Sequence, residues 1–395
     1  MLLLGSLFSL SLFSSLLLAE DLVFEYSGNA GLEWRAFSEE SRTGDQESNV
    51  SLSVEPEFYW EWQGGKNSIT FTPFLRLDEN DDERSHFDIR EFEWIYVGSN
   101  WELRTGIRKV FWGVTEFQHL VDVINQKDAV EDIDGEDKLG QPMVNLSLVR
   151  DWGIIDAFLL VGFRERTFPG QEGRLRSRLL VDADNARYES EDEEKHLDIV
   201  LRWSHSIGDY DFGAYWFRGT NRDPVLQVSN KSGGLVLVPF YEQMDQWGLD
   251  VQATLDSWLW KLEAIYRDGK ESYWASQAGF EYTFYGLAQT NSDLGLLLEY
   301  GWDERGENGS SVFQNDISVG ARLTLNDIDS TELLAGFIHD LDYHSLSFQV
   351  EASRRFGNYW KVSIDGRFFS SDDMRDPLNS FDKDDHFQLR VERFF

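Results

Sequence analysis

From Asp21 to the last residue, apolar and polar positions alternate with period two. The alternation falls into roughly eighteen segments of about 8–14 residues, the length of a tilted strand that has a different solvent on each face. Leu22–Phe37 sets Phe24, Tyr26, Ala30, Leu32 and Trp34 against Glu25, Asn29, Glu33 and Arg35. Val50–Trp62 sets Val50, Leu52, Val54, Phe58, Trp60 and Trp62 against Ser51, Ser53, Glu55, Glu57 and Glu61. Further strands are expected at Ile69–Leu77, Phe87–Val97, Trp101–Trp112, Pro142–Val149, Ile155–Arg164, Leu197–His205, Tyr210–Phe217 and Trp247–Thr254. The remainder are Trp258–Arg267, Trp274–Phe284, Leu294–Trp302, Asp316–Leu325, Thr331–Asp340, Leu346–Arg355, Trp360–Phe369 and His386–Phe395. A phase slip near Glu91 reads as a β-bulge.

The connections alternate in length. Tight turns at Gln63–Asn67, Gly98–Asn100, Arg150–Gly153, Ser206–Asp209 and Leu255–Ser257 are interleaved with long stretches such as Ser38–Asn49, Gly113–Gln141, Glu165–His196, Arg218–Gln246 and Ser370–Asp385. One set of ends carrying turns and the other carrying loops is the signature of an all-β, antiparallel, up-and-down transmembrane β-barrel. The count is 16 to 18 strands; eighteen accounts for every traced segment, and an even number returns the chain to its starting side. A lumen of that girth holds water rather than a packed core. Ahead of the barrel, residues 1–19 are Leu- and Ser-rich and end at Ala19-Glu20, the pattern of a secretory signal peptide without its usual basic start. Residues 20–395 then form a single barrel.

Composition agrees. Mean hydropathy is only −0.42, as expected where lumen-facing polar residues halve the signal. Aromatic residues make up 15% of the chain, with 15 Trp, enough for girdles at two membrane interfaces. The chain has no Cys, which suits an oxidising compartment. The net charge of −35 excludes nucleic acid as a partner, since phosphate neutralisation needs a basic face. The His residues fall in no Ser–His–Asp pattern, and no phosphate loop or metal-ligand motif is present, so no catalysis and no cofactor are expected. Acidic runs at Asp78–Glu83, Glu189–Glu194 and Asp382–Asp385 could hold Ca²⁺ or Mg²⁺, although solvated charge is the simpler explanation. Asp132-Ile133-Asp134-Gly135 shares part of a Ca²⁺-loop pattern but lacks its spacing and final Glu.

The third long connection, Gly113–Gln141, is set apart from the other loops by an apolar stripe of Val114, Phe117, Leu120, Val121, Val123 and Ile124. Bulk water gives a loop no reason to carry such a stripe; folding into the lumen does, and a small helix capping the barrel would too. On the polar faces, bases and acids mix. Acid on one wall and base on another would set a transverse field, or adjacent Arg–Glu pairs would satisfy one another and stiffen the wall. Arg104 and Arg108, on the strand entering the loop, are the basic residues expected nearest a constriction. Glu116, Asp122, Asp128, Glu131, Asp132 and Asp134 of the loop, with Arg35 and Arg390 of the wall, complete the expected pore lining. The acidic mouth would favour cations on approach.

Two stretches resemble a known family. His386–Phe395 alternates strictly and ends on an aromatic residue, and it resembles the closing strand of bacterial outer-membrane barrels, where a terminal Phe such as Phe395 serves as the insertion signal. The inward third loop resembles that of porins. The Gly106-x-x-x-x-x-Trp112-Gly113 piece followed by Asp122-Val-Ile-Asn125 is similar to a group of large porin-like proteins, with alginate exporters as more distant relatives, over Leu103–Arg178. The resemblance implies an outer-membrane location, contacts with lipid, lipopolysaccharide and the assembly machinery, and a homotrimer or monomer. It implies passive diffusion of small hydrophilic solutes. The alternative is a substrate-specific channel that exports a polysaccharide or imports oligosaccharides or organic acids.

Overall fold

The computed structural model describes residues 22–41, 46–231, 233–309 and 314–395. The expected signal peptide lies outside these residues. The main sheet has eighteen strands and closes on itself by pairing the first with the last. Its first half comprises β1 (Val23–Phe37), β2 (Ser48–Trp62), β3 (Asn67–Asp78), β4 (His86–Val97), β5 (Trp101–Arg108), β6 (Gln141–Arg150), β7 (Gly153–Val161), β9 (Leu197–Ile207) and β10 (Tyr210–Thr220). Its second half comprises β13 (Gln243–Leu255), β14 (Trp258–Asp268), β15 (Tyr273–Phe284), β16 (Asp293–Asp303), β17 (Asn315–Thr324), β18 (Glu332–Asp340), β19 (Leu346–Phe356), β20 (Trp360–Ser370) and β21 (His386–Phe394). All neighbours in the ring are antiparallel, so the fold is an antiparallel transmembrane β-barrel.

The period-2 pattern maps directly onto the wall. Along β14, Trp258 and Trp260 stand at the turn end of the outer face, Leu262 and Ala264 in the middle and Tyr266 at the loop end, while Lys261, Glu263 and Ile265 point inward and are buried. Aromatic clusters mark both rims: Trp258 lies 4.6 Å from Tyr282 near the turns, and Tyr266 lies 4.8 Å from Trp274 near the loops. This is an apolar band between two aromatic girdles. In a bilayer every backbone group must bond within the protein, and ring closure removes the open edges.

A glycine sits at one end of the closing seam, which otherwise runs from Asn29–Phe394 to Phe37–His386. Gly28 and Phe395 exchange two backbone hydrogen bonds, Gly28 N–H to Phe395 O at 3.1 Å and Phe395 N–H to Gly28 O at 3.0 Å. Gly28 holds φ +155°, and a Cβ there would stand 2.7 Å from Glu55 O and 3.0 Å from the Phe395 ring. The bulge expected near Glu91 sits one residue earlier: Thr72 pairs with Glu91 and Pro73 with Ile89, so Arg90 is the extra residue. Proline has no N–H to give the ladder, which is why β3 breaks its register there.

Two expectations need correction. The strand expected at Trp101–Trp112 ends at Arg108, because from Lys109 the chain turns into the lumen. The stretch Arg218–Gln246 is not a plain loop. It holds a hairpin of β11 (Val225–Lys231) and β12 (Gly234–Tyr241), against which β8 (Arg187–Tyr188) adds a parallel edge. The hairpin exposes Leu226, Val228 and Leu235, so Gly113–Gln141 does not stand alone among the loops in carrying apolar residues.

Candidate functional site: a loop across the lumen

Residues 109–140 fold inside the barrel. Val121, Val123 and Ile124 are fully buried against inward-facing apolar residues of one wall, among them Met143, Phe158, Leu160, Tyr215, Phe217 and Ile265. That wall departs from simple polar-in alternation at the positions where the loop needs an apolar seat. Burying a large apolar side chain contributes about 1.5–3 kcal/mol, so this stripe is one of the attachments that seat the loop. At its base, Asn125 accepts from Val110 N–H at 2.8 Å and donates to Arg108 O and Leu139 O at 2.8 and 2.9 Å.

The outgoing arm continues along this wall from β14 to β18. Buried Glu263 accepts from the backbone N–H groups of Val114, Thr115 and Val121 at 2.7, 3.0 and 3.1 Å, and from the Thr115 hydroxyl at 2.7 Å. Glu299 takes the Glu116 and Phe117 N–H groups at 2.8 and 3.2 Å. A buried carboxylate is tolerable when several donors satisfy it, and here the loop's free amides supply them. The Phe117 ring fills a notch left by two side-chain-free positions: a Cβ on Gly320 or Gly336 would stand 3.2 or 3.1 Å from it. Glu116 pairs with Arg322 at 2.6 Å and Lys261 at 3.4 Å.

The returning arm is held by arginines of the opposite wall. Asp128 pairs with Arg90 at 2.5 Å, and Glu131 pairs with Arg76 at 2.5 Å. Arg84 donates to Val130 O at 2.8 Å and Arg35 to Glu131 O at 2.9 Å. Asp132 and Asp134 reach Arg367 at 3.3 and 2.8 Å. Glu33, almost wholly buried, knits the set together with Arg35 at 3.1 Å, Arg84 at 2.7 Å and Arg390 at 2.8 Å. The two arms are tied by His119–Glu136 at 2.9 Å and Asp122–Lys138 at 3.6 Å. Enclosure opposes charge on His119, but the carboxylates of Glu136 at 2.9 Å and Glu263 at 3.8 Å prevail and push it up to about 10, which favours the cation at neutral pH. Asp137 moves the other way for an acid: enclosure and the carboxylates of Glu131, Asp134 and Asp132 push it up to about 7.

The expected lining residues therefore divide. Glu116, Asp122, Asp128, Glu131, Asp132, Asp134, Arg35 and Arg390 belong to one crossing structure. Arg104 and Arg108 face the lumen but pair with strand neighbours, Glu102 at 2.8 Å and Glu93 at 2.8 Å; the arginines that meet the loop's acids include Arg76, Arg90, Arg322 and Arg367. Nothing in the sequence marks Glu263, Glu299, Arg76 and Arg367 as the anchors of the loop. Each looks like any other polar residue of an alternating strand. Among these groups the charges pair locally, as in a stiffened wall.

The fourth long loop adds a cover. Arg174 pairs with Asp384 at 2.6 Å, donates to Gln46 O at 2.5 Å and lies 3.9 Å over Phe37. Asp81, of the first acidic run, accepts from Gly170 N–H at 3.1 Å, and Asp78 pairs with Arg84 at 2.8 Å. The basic stretch from Arg164 thus neutralises acids of neighbouring loops.

No protein-family model and no curated protein matches the chain. Solved structures do. A BenF-like porin from Pseudomonas fluorescens Pf-5 superposes with a TM-score of 0.55 at 9% identity, over 95% of this chain and 98% of that one. This chain has the porin fold. A triple mutant of the Rh. blastica porin (TM-score 0.47, 10% identity, 94% and 100% covered) and the trimer form of OmpT, an outer membrane protein of Vibrio cholerae (0.46, 9%, 95% and 99%), also match.

Proposed function

We propose that the protein is a channel of the bacterial outer membrane that passes small hydrophilic solutes by diffusion, with residues 109–140 setting the bore. The observation that carries this reading is the crossing loop. It is seated by apolar packing on one side and by ion pairs on the other, yet solvent still reaches lumen-facing side chains beside it. Glu136 is 52% exposed, Glu351 44%, Arg322 34% and Arg390 32%.

We read the chain as a non-catalytic protein. Its expected partners are outer-membrane lipid and lipopolysaccharide, the assembly machinery and the solutes themselves, with the barrel working as a trimer or a monomer. Ca²⁺ or Mg²⁺ at the acidic surface loops remains part of the proposal. The test is conductance across a planar bilayer. Steady ohmic steps support the channel. Steps that appear or are blocked only with one sugar or organic acid would replace it by a dedicated transporter, and their absence from folded protein would overturn it.

A further inference from the structure

The charges along one wall of the lumen, from β17 to β20, are not balanced. On the β19–β20 side one guanidinium serves four carboxylates: Arg367 lies 2.8 Å from Asp134, 3.3 Å from Asp132, 3.2 Å from Asp365 and 4.0 Å from Glu351. Arg35 assists Asp132 from 3.8 Å, but it is itself bound to Glu33 at 3.1 Å. The cation is also the covered member of the group. Arg367 is 7% exposed, whereas Asp134 is 27% and Glu351 44% exposed. Asp137, beside them, has no cation in ion-pair contact among the described residues. Two strands away on the same wall, where Leu334 of β18 separates Arg322 of β17 from Glu351 of β19, Arg322 and Glu116 neutralise one another at 2.6 Å and so leave this surplus uncompensated.

A solute moving past this wall meets carboxylate oxygens first and carboxylates that outnumber the cation they share. Low-dielectric walls sharpen that field, and in a narrow aqueous passage it sorts ions by sign. We propose that the passage is cation-selective, that Asp134 and Glu351 determine the selectivity, and that its solutes are small cationic or neutral molecules rather than anions. The assignment is of a field along the passage, not of a resident ion. It rests on the channel reading above and goes further by fixing the sign of the solute.

The experiment is the reversal potential of single channels in a KCl gradient, using full-length protein extracted from the membranes of an expressing bacterium. The wild type should prefer K⁺ over Cl⁻ several-fold. Asp134→Asn with Glu351→Gln should cut that preference at least twofold while leaving open steps; Glu351→Gln alone, a surface-like change, covers the case in which the double variant fails to fold. The preference should also shrink with salt, as the screening length falls from about 10 Å at 0.1 M to about 3 Å at 1 M. An anion-preferring wild type, or a reversal potential unchanged in Glu351→Gln, would overturn the selectivity while leaving the channel standing. No steps from protein that still migrates as a folded barrel would overturn both.

Discussion

Single residues decide how firmly the loop sits. Glu131 is buried against Arg76, Arg84 and Arg90; replacing one partner of a buried ionic group costs about 3–5 kcal/mol because the remaining charges lose their counterpart. Glu131→Gln should therefore free the returning arm, and limited proteolysis in detergent should cut within residues 126–138 where the wild type is resistant. Phe117 offers a second test. Gly336→Ala would place a Cβ 3.1 Å from its ring and 3.0 Å from Val319 O of the neighbouring strand, crowding the tip in its notch, and open-channel current should become noisier. Asp137 gives a pH dependence. Held up to about 7, its carboxyl is neutral at pH 5.5 and charged at pH 8.5, so cation preference should rise across that interval; a flat profile would take Asp137 out of the passage.

At the scale of elements, strands and loop obey different rules. Strand positions follow from alternation alone because each side chain has only two environments to choose between. The excess Arg90 at the bulge and the end of β5 at Arg108 are tertiary effects: Pro73 breaks the ladder, and the loop's apolar seat pulls the chain inward before Trp112 can join the strand. The β11–β12 hairpin was hidden for a different reason. Val225–Tyr241 is strand-like in sequence, but its length and place between two barrel strands made it read as loop. Shortening Gly113–Gln141 while keeping Arg108 and Gln141 should raise single-channel conductance several-fold, because the element that fills the lumen is removed while the closed wall remains.

For the whole molecule, closure is the cooperative step. The terminal residue supplies both backbone bonds to Gly28 and stacks its ring where a Cβ would otherwise clash. Deleting Phe395 should leave the seam short of two hydrogen bonds, and the folded, heat-modifiable fraction on a gel should fall sharply; unchanged yield would show that the last strand closes without it. The acidic balance of the chain is spread over loops and lumen alike, and the cluster in which Arg367 is shared by four carboxylates is where the proposed selectivity places its effect.

Alternation, aromatic rims and the short–long rhythm of connections determined the barrel, its strand positions and which side chains face inward, since these are local consequences of a period-2 backbone between two solvents. The apolar stripe at Val114–Ile124 likewise announced that this loop needed a covered seat. The sequence did not contain the identity of that seat. Glu263 capping loop amides, Gly320 and Gly336 opening a notch for Phe117, and Arg367 shared among Asp132, Asp134, Asp365 and Glu351 bring together residues far apart in the chain. Those meetings exist only once the barrel has closed and fixed the distance across its lumen.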